Sequence, residues 1–208
     1  VMNELRDKKG LTEAEFLAAY DPSKWERPSV TVDMFCYCRE NRSLLMVKRG
    51  GHPFIGKWAL PGGFLEPDET AEQAVRRELA EETGVNADAI IQLRAFSDPH
   101  RDPRTRIVTV AYIAVLDRLP DARAGDDAAD AKWFALERNV TERTDDGRNV
   151  TERGMITLRG EETLEISFET VTQKGRLTSD PVMKVKQSER IAGDHGTIIA
   201  YAAARLQQ

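Results

Sequence analysis

The sequence predicts an α/β protein, organised as one domain over residues 1–208. Three observations carry that expectation. Two helix starts are marked by capping boxes, Thr12-x-x-Glu15 and Thr70-x-x-Gln73, in which each side chain satisfies a backbone N–H of the other residue. Around them lie short runs rich in β-branched residues, at 30–37, 44–48, 90–96, 107–116 and 132–135, that read as strands. No Pro-, Gly- or Ser-rich linker divides the chain into two independent units.

The first helix spans residues 12–20, carries Phe16, Leu17 and Tyr20 as its apolar stripe, and stops before Asp21-Pro22. The strands at 30–37 and 44–48 flank a polar turn at 39–42. Gly50-Gly51-His52-Pro53 and Leu60-Pro61-Gly62-Gly63 then favour loops. The next helix is expected over Ala71–Thr83, with Gly84 just past its end. The last helix, about 194–206, puts Ile198, Ala202 and Leu206 on one side. The core is thus expected at about 28–138, followed by a polar excursion at about 139–185. Asn-Val-Thr-Glu-Arg occurs there twice, at 139–143 and 149–153, around Asp145-Asp146-Gly147, which reads as a hairpin tip. A second hairpin is expected from 155–159 and 164–168. Both Asn-Val-Thr triplets match a glycosylation pattern, but no secretory signal accompanies them.

Lys and Arg number 30 against 35 Asp and Glu, a net charge of −5, which argues against non-specific binding to nucleic acid or a membrane surface. No run approaches the roughly 18 apolar residues of a membrane span. Residues 1–10 are charged and lack the apolar stretch of a signal peptide, so a cytoplasmic protein is expected. Cys36 and Cys38, two apart on one strand, read as buried, reduced thiols because no further Cys is present to complete a zinc site. Trp25 and Trp133 read as core.

The chemistry concentrates between Gly63 and Val85. On a helix, Glu78, Glu81 and Glu82 stand at i, i+3 and i+4 and project from one face within about a turn. Like charges so placed repel, so the helix itself gains nothing from them. Ala71, Val75 and Leu79 form a separate stripe that can anchor the helix. A ridge of carboxylate oxygens on a rigid element suits a hard divalent cation, Mg²⁺ or Mn²⁺, with water and substrate phosphates completing its shell.

The spacing Gly63-x5-Glu69-x7-Arg77-Glu78-Leu79-x-Glu81-Glu82-x-Gly84-Val85 resembles the Nudix box residue for residue. The resemblance implies an α/β/α sandwich around a mixed β-sheet, here with a short N-terminal helix and a C-terminal β-hairpin plus helix. It implies cation-assisted hydrolysis of a nucleoside diphosphate linked to another moiety. Glu78, Glu81 and Glu82 would be metal ligands, joined by the backbone carbonyl of Gly62. Arg77 would hold the glutamate array, Glu69 would support the helix entrance, and Leu79 and Val85 would be core. A free carboxylate must accept the proton of the attacking water, either one of Glu81 or Glu82 or the acidic pair Asp126-Asp127. The resemblance also implies an extra acidic ligand ahead of Trp133, a spacing that Asp127 fits.

Further stretches resemble the bacterial ADP-ribose pyrophosphatase-like branch: Tyr20-Asp21-Pro22 with Pro28-Ser29-Val30-Thr31-Val32-Asp33, then Lys48-Arg49-Gly50. Asp98-Pro99-His100-Arg101-Asp102-Pro103-Arg104 and Asp194-His195 extend the likeness. It implies ADP-ribose as substrate, AMP and ribose 5-phosphate as products, and a homodimer. Arg49, Arg101 and Arg104 are the expected anion readers, since guanidinium forks fit phosphates, although Arg101 and Arg104 could instead clasp Asp98 and Asp102. Phe54, Trp58 and Phe64 could each stack on a base, although each taken singly reads more readily as a packing residue. Phe64 is kept as the candidate substrate contact, and His100 reads as an exposed loop histidine. Two other readings stand beside this one. The first is a Nudix hydrolase acting on a nucleoside triphosphate or another sugar nucleotide. The second is the ADP-ribose-sensing part of a regulator without its DNA-binding portion.

Overall fold

In a computed structural model, which describes residues 5–122, 128–175 and 181–206, strand β1 (Ser29–Cys38) organises the molecule. It runs parallel to β6 (Ile107–Leu116) and antiparallel to β2 (Ser43–Arg49), so the sheet is mixed. Its side chains alternate between two layers. Val32, Met34 and Cys36 pack with Ala74, Val75 and Leu79 of α2 (Ala71–Thr83). Phe35 packs on the other face, in the cluster that holds Ile198, Ile199 and Ala202 of α3 (His195–Arg205). One helix therefore covers each face, which is the α/β/α sandwich expected from the sequence. Cys36 and Cys38 are both buried and unpaired with each other. Burial, then the neighbouring Cys38, pushes the Cys36 thiol up to about 12, so it stays a neutral core group.

The remaining elements are α1 (Glu13–Ala18), β3 (Trp58–Ala59), β4 (Gly62–Phe64), β5 (Ile90–Phe96), β7 (Ala128–Asp145), β8 (Asn149–Arg159), β9 (Thr163–Gln173) and β10 (Val182–Gln187). Among the described residues the sheet runs β10-β9-β8-β7-β2-β1-β6-β5, with β3 paired to β2 and β4 to β1. Both capping boxes form. Thr70 accepts from the Gln73 N–H and the Gln73 side chain accepts from the Thr70 N–H, and Thr12 and Glu15 do the same. Helix α2 ends at Gly84 with φ 69°, a left-handed conformation that glycine adopts without a Cβ penalty.

Two expectations need correction. The strand read at 132–135 does not stop before a polar excursion; it continues to Asp145 as β7. The first half of β7 pairs with β2, its residues Ala135–Asp145 pair with β8 through a register shift between Val140 and Glu142, and β8 pairs in turn with β9. The inward side chains Ile156, Leu158, Leu164, Ile166 and Phe168 are buried with the α3-side cluster, so these strands extend the same core. The Asp-Gly tip falls where expected, with Gly147 at φ 87° and its N–H donating to Asp145 Oδ1 at 2.9 Å. Trp25 is not core: it is 69% exposed, beside the surface turn Pro22–Lys24, with the Lys24 ammonium 5.7 Å from its ring. Trp133 is partly buried against the α2-side cluster and donates its indole N–H to the Pro120 carbonyl. No described helix is long and apolar enough to cross a membrane.

Candidate active site

The chain turns sharply at Pro61 and lays β4 against β1, bringing Gly62 opposite Asp33 and Gly63 opposite Val32. A side chain at either glycine would collide, at Gly62 with the β1 backbone and at Gly63 with the Glu78 carboxylate. The close approach lets the backbone of one element meet the acidic face of the next. The Gly62 N–H donates to Glu82 Oε2 at 2.9 Å.

On α2 the three glutamates differ sharply in environment. Glu82 is largely buried, and that burial, followed by the charges of Glu78 and Asp33, pushes its carboxyl up to about 7 despite the Gly62 N–H and the nearby Arg49. Burial also raises Glu78, although Arg77 pulls it down. Glu81 is 60% exposed. Arg77 binds the array together. Its Nη1 donates to Glu78 at 2.9 Å and Glu81 at 3.0 Å, its Nε and Nη2 fork onto Glu69, and Nη2 also reaches the Phe64 carbonyl at 3.1 Å. Glu69 is held below the usual carboxylate range chiefly by that fork.

The donor set is made of hard oxygens, three carboxylates and the Gly62 backbone, and fits Mg²⁺ or Mn²⁺. Among the described residues no three His, Cys, Asp or Glu side chains close into a ready-made cage. An open ridge still suits Mg²⁺, which keeps several waters and is held by one or two carboxylates plus substrate phosphates. Asp126 and Asp127 lie outside the described residues.

Beside the ridge opens a cleft of about 410 Å³ that Glu78, Glu82 and Arg77 line together with Arg49, Phe64, Arg101 and Arg104. The volume lies within the range of small-molecule sites. The arginines are already engaged. Arg49 donates to the Pro53 carbonyl at 2.7 Å. Arg104 forks onto Asp102, one of the two clasps considered from the sequence, and its guanidinium stands 5.3 Å from the half-exposed Phe64 ring at the cleft mouth. Arg101 does not clasp Asp98. It is buried, and its Nε and Nη2 reach Asp194 at 2.9 and 2.8 Å. Trp58 is core, its indole N–H donating to Glu162 at 2.7 Å, whereas Phe54 lines the cleft. His100 is exposed.

The cleft also contains groups to which the sequence reading gave no role: Asp33, Asp194 and His195. Asp33 is buried on β1 and accepts the Thr109 hydroxyl at 2.6 Å. His195 is brought in by a short parallel bridge of Trp58 to Ile191. The only prior signal was the presence of these residues in the stretches resembling one family branch.

The NUDIX domain family model matches residues 27–154. The chain is 42% identical over 110 residues to an ADP-ribose pyrophosphatase of Methanocaldococcus jannaschii, covering 52% of this chain and 63% of that protein, less than two thirds of the relative's length. Its fold superposes on a MutT/nudix family protein from Enterococcus faecalis with a TM-score of 0.69 and 36% identity, over 94% of this chain and 70% of the other. It also superposes on the NUDIX domain of Shewanella oneidensis NrtR, solved with ADP ribose, with a TM-score of 0.55 and 39% identity, over 59% and 82% of the two chains. With its glutamate ridge, its sandwich and a family match across more than half its length, the chain belongs to the NUDIX domain family.

Proposed function

We propose that this chain is a Mg²⁺- or Mn²⁺-dependent hydrolase of nucleoside diphosphates linked to another moiety, and that it splits ADP-ribose into AMP and ribose 5-phosphate. The observation that carries the reading is the ridge of Glu78, Glu81 and Glu82 on one helix face, with Glu78 and Glu81 held by Arg77, Glu82 held by the Gly62 N–H, and Glu78 and Glu82 lining a cleft that arginines share. The likeness to a protein named ADP-ribose pyrophosphatase supports the substrate.

When bound, the cation neutralises diphosphate charge and lowers the pKa of a water. Glu78, Glu81, Glu82 and the Gly62 carbonyl are the groups that would hold it. Arg77 keeps Glu78 and Glu81 at fixed positions and balances part of the mutual repulsion on the ridge, while the Gly62 N–H holds Glu82. Glu82, whose carboxyl burial pushes up to about 7, would have to give up its proton to hold the cation. Glu81, the most exposed of the three, is the carboxylate best placed to pass a proton on to bulk water. At the mouth, Arg104 and Phe64 present a cation and a ring face to a nucleotide, and Arg49 adds a second guanidinium. Arg101 supports the far wall through Asp194. The protein is expected to work as a homodimer in the cytoplasm.

A second reading, an ADP-ribose sensor, draws on the likeness to the NrtR domain. Possession of all three glutamates favours hydrolysis. The test is a panel of ADP-ribose, other sugar nucleotides and nucleoside triphosphates with Mg²⁺, products separated by chromatography. Preferred cleavage of ADP-ribose supports the proposal; preferred cleavage of another member reassigns the substrate. Binding of ADP-ribose with no cleavage on the panel supports the sensor.

A further inference from the structure

The cleft has a second polar wall, on the α3 side of the sheet, that the hydrolysis itself does not use. It consists of Asp33 on β1, Arg101 between β5 and β6, and Asp194 and His195 at the start of α3. The Asp33 and Arg101 side chains are only 8% and 6% exposed. Arg101 spends its fork on Asp194 and lies 4.0 Å from Asp33 Oδ2, so one guanidinium faces two carboxylates. The wall is net negative and offers a phosphate no uncommitted cation.

What it offers instead is one acceptor and one neutral donor. The Leu60 backbone N–H donates to His195 Nδ1 at 3.1 Å, which leaves the ring proton on Nε2. The 3.7 Å approach of Nδ1 to Asp33 Oδ1 is therefore a contact of a neutral imidazole rather than an ion pair. Among the described residues nothing accepts from Nε2–H. Asp33 Oδ2 takes the Thr109 hydroxyl, and among the described residues Oδ1 receives no hydrogen bond. A carboxylate acceptor beside an imidazole donor matches two neighbouring hydroxyls, one donating to Asp33 and one accepting from His195. Asp33 also lies against Gly62, whose N–H is tied to Glu82, so this wall adjoins the ridge that would take the diphosphate.

We propose that Asp33 and His195 read a vicinal diol of the ligand's ribose, which makes His195 a specificity-determining residue of the cleft. The inference rests on the ADP-ribose reading above and deepens it. Either the nucleoside ribose or the terminal ribose could supply the diol, and the test separates them.

Equilibrium titrations with Mg²⁺ would use three uncleavable probes: α,β-methylene ADP-ribose, α,β-methylene ADP, and the 2′-deoxy form of the latter. His195→Ala and the shape-conserving Asp33→Asn should each weaken the first probe by about tenfold or more, the loss expected for a buried hydrogen bond to a polar partner. His195→Gln, which can still accept from Leu60 and donate to the ligand, should stay within a few-fold of wild type. If α,β-methylene ADP is unaffected, the diol belongs to the terminal ribose. If it weakens equally while its 2′-deoxy form does not, the diol belongs to the nucleoside. Equal losses on all three probes, or no loss on any, would overturn the proposal; should His195→Ala not fold, Asp33→Asn decides on the same criteria. Wild-type protein that binds none of the probes would refute the ADP-ribose reading itself, whereas tight wild-type binding unchanged by the substitutions would refute this inference alone.

Discussion

The Gly62 backbone N–H and the Glu82 carboxylate, 2.9 Å apart, register the strand end β4 to the helix α2. The same residue that donates to a ridge carboxylate would present its own carbonyl to the cation, so strand and helix are set as one unit before any ligand arrives. Glu82→Gln tests the charge without disturbing that shape, because the amide oxygen can still accept from Gly62. The expected result is an unchanged circular dichroism spectrum and urea midpoint at pH 5 with turnover reduced on the order of a hundredfold or more. Turnover within a few-fold of wild type would remove Glu82 from the cation site.

The raised Glu82 carboxyl has a consequence for stability. Its folded value, about 7, lies above its ordinary value of 4.5, so between those limits the folded state binds more protons than the unfolded state. Stability of the metal-free protein should therefore fall as pH rises from about 4.5 to about 7, and level off above. Urea unfolding in EDTA should show a lower midpoint at pH 7.5 than at pH 5. Mg²⁺, which needs the ionised ridge, should restore stability at pH 7.5 and do little at pH 5. Glu82→Gln should flatten the metal-free slope. A midpoint that rises with pH in this window would contradict the account.

Gly63→Ala places a methyl group against the Glu78 carboxylate. The side chain can swing aside, so the fold should survive, but Glu78 leaves its position on Arg77 and with it the ridge. Cation titration by calorimetry should show clearly weaker Mg²⁺ binding and kinetics a loss of about tenfold or more in kcat/KM. Unchanged cation affinity would mean that Glu78 is not a ligand.

Glu162 ties the β8–β9 turn back to the core. It accepts the Trp58 indole N–H at 2.7 Å and Arg190 at 2.5 Å, with Lys48 3.7 Å away. Glu162→Ala leaves a buried indole donor without its partner, and urea denaturation should register a loss of about 1–3 kcal/mol. Turnover should stay near wild type at 25 °C, since the residue lies outside the cleft. A large fall in kcat with stability intact would show that the turn serves the chemistry directly.

The local features were legible because their physics is local. Both capping boxes, the Gly84 stop and the i, i+3, i+4 carboxylates depend on residues within a turn or two of each other. The polar run 139–143 misled because its partners are cross-strand. Arg153 joins Glu142 at 2.9 Å and Glu169 at 2.6 Å, and Arg138 joins Glu152 at 3.1 Å, pairings that no linear pattern displays. Arg101 has the residue type of an anion reader, yet its partner Asp194 comes from the far end of the chain. The Asp33 and His195 wall was hidden for the same reason: β1 and the start of α3 lie far apart in the chain and are adjacent only in the fold.

The central claim is that the ridge turns this cleft into a catalyst for ADP-ribose. The most direct measurement follows AMP release from ADP-ribose by wild-type protein and Glu82→Gln, each with Mg²⁺ and with EDTA. The account predicts AMP and ribose 5-phosphate in equal amounts from wild type with Mg²⁺, with kcat/KM above about 10⁴ M⁻¹s⁻¹, and near-complete loss in the other three conditions. AMP release that is indifferent to Mg²⁺ or to Glu82, or ADP-ribose that binds and is never cleaved, would contradict it.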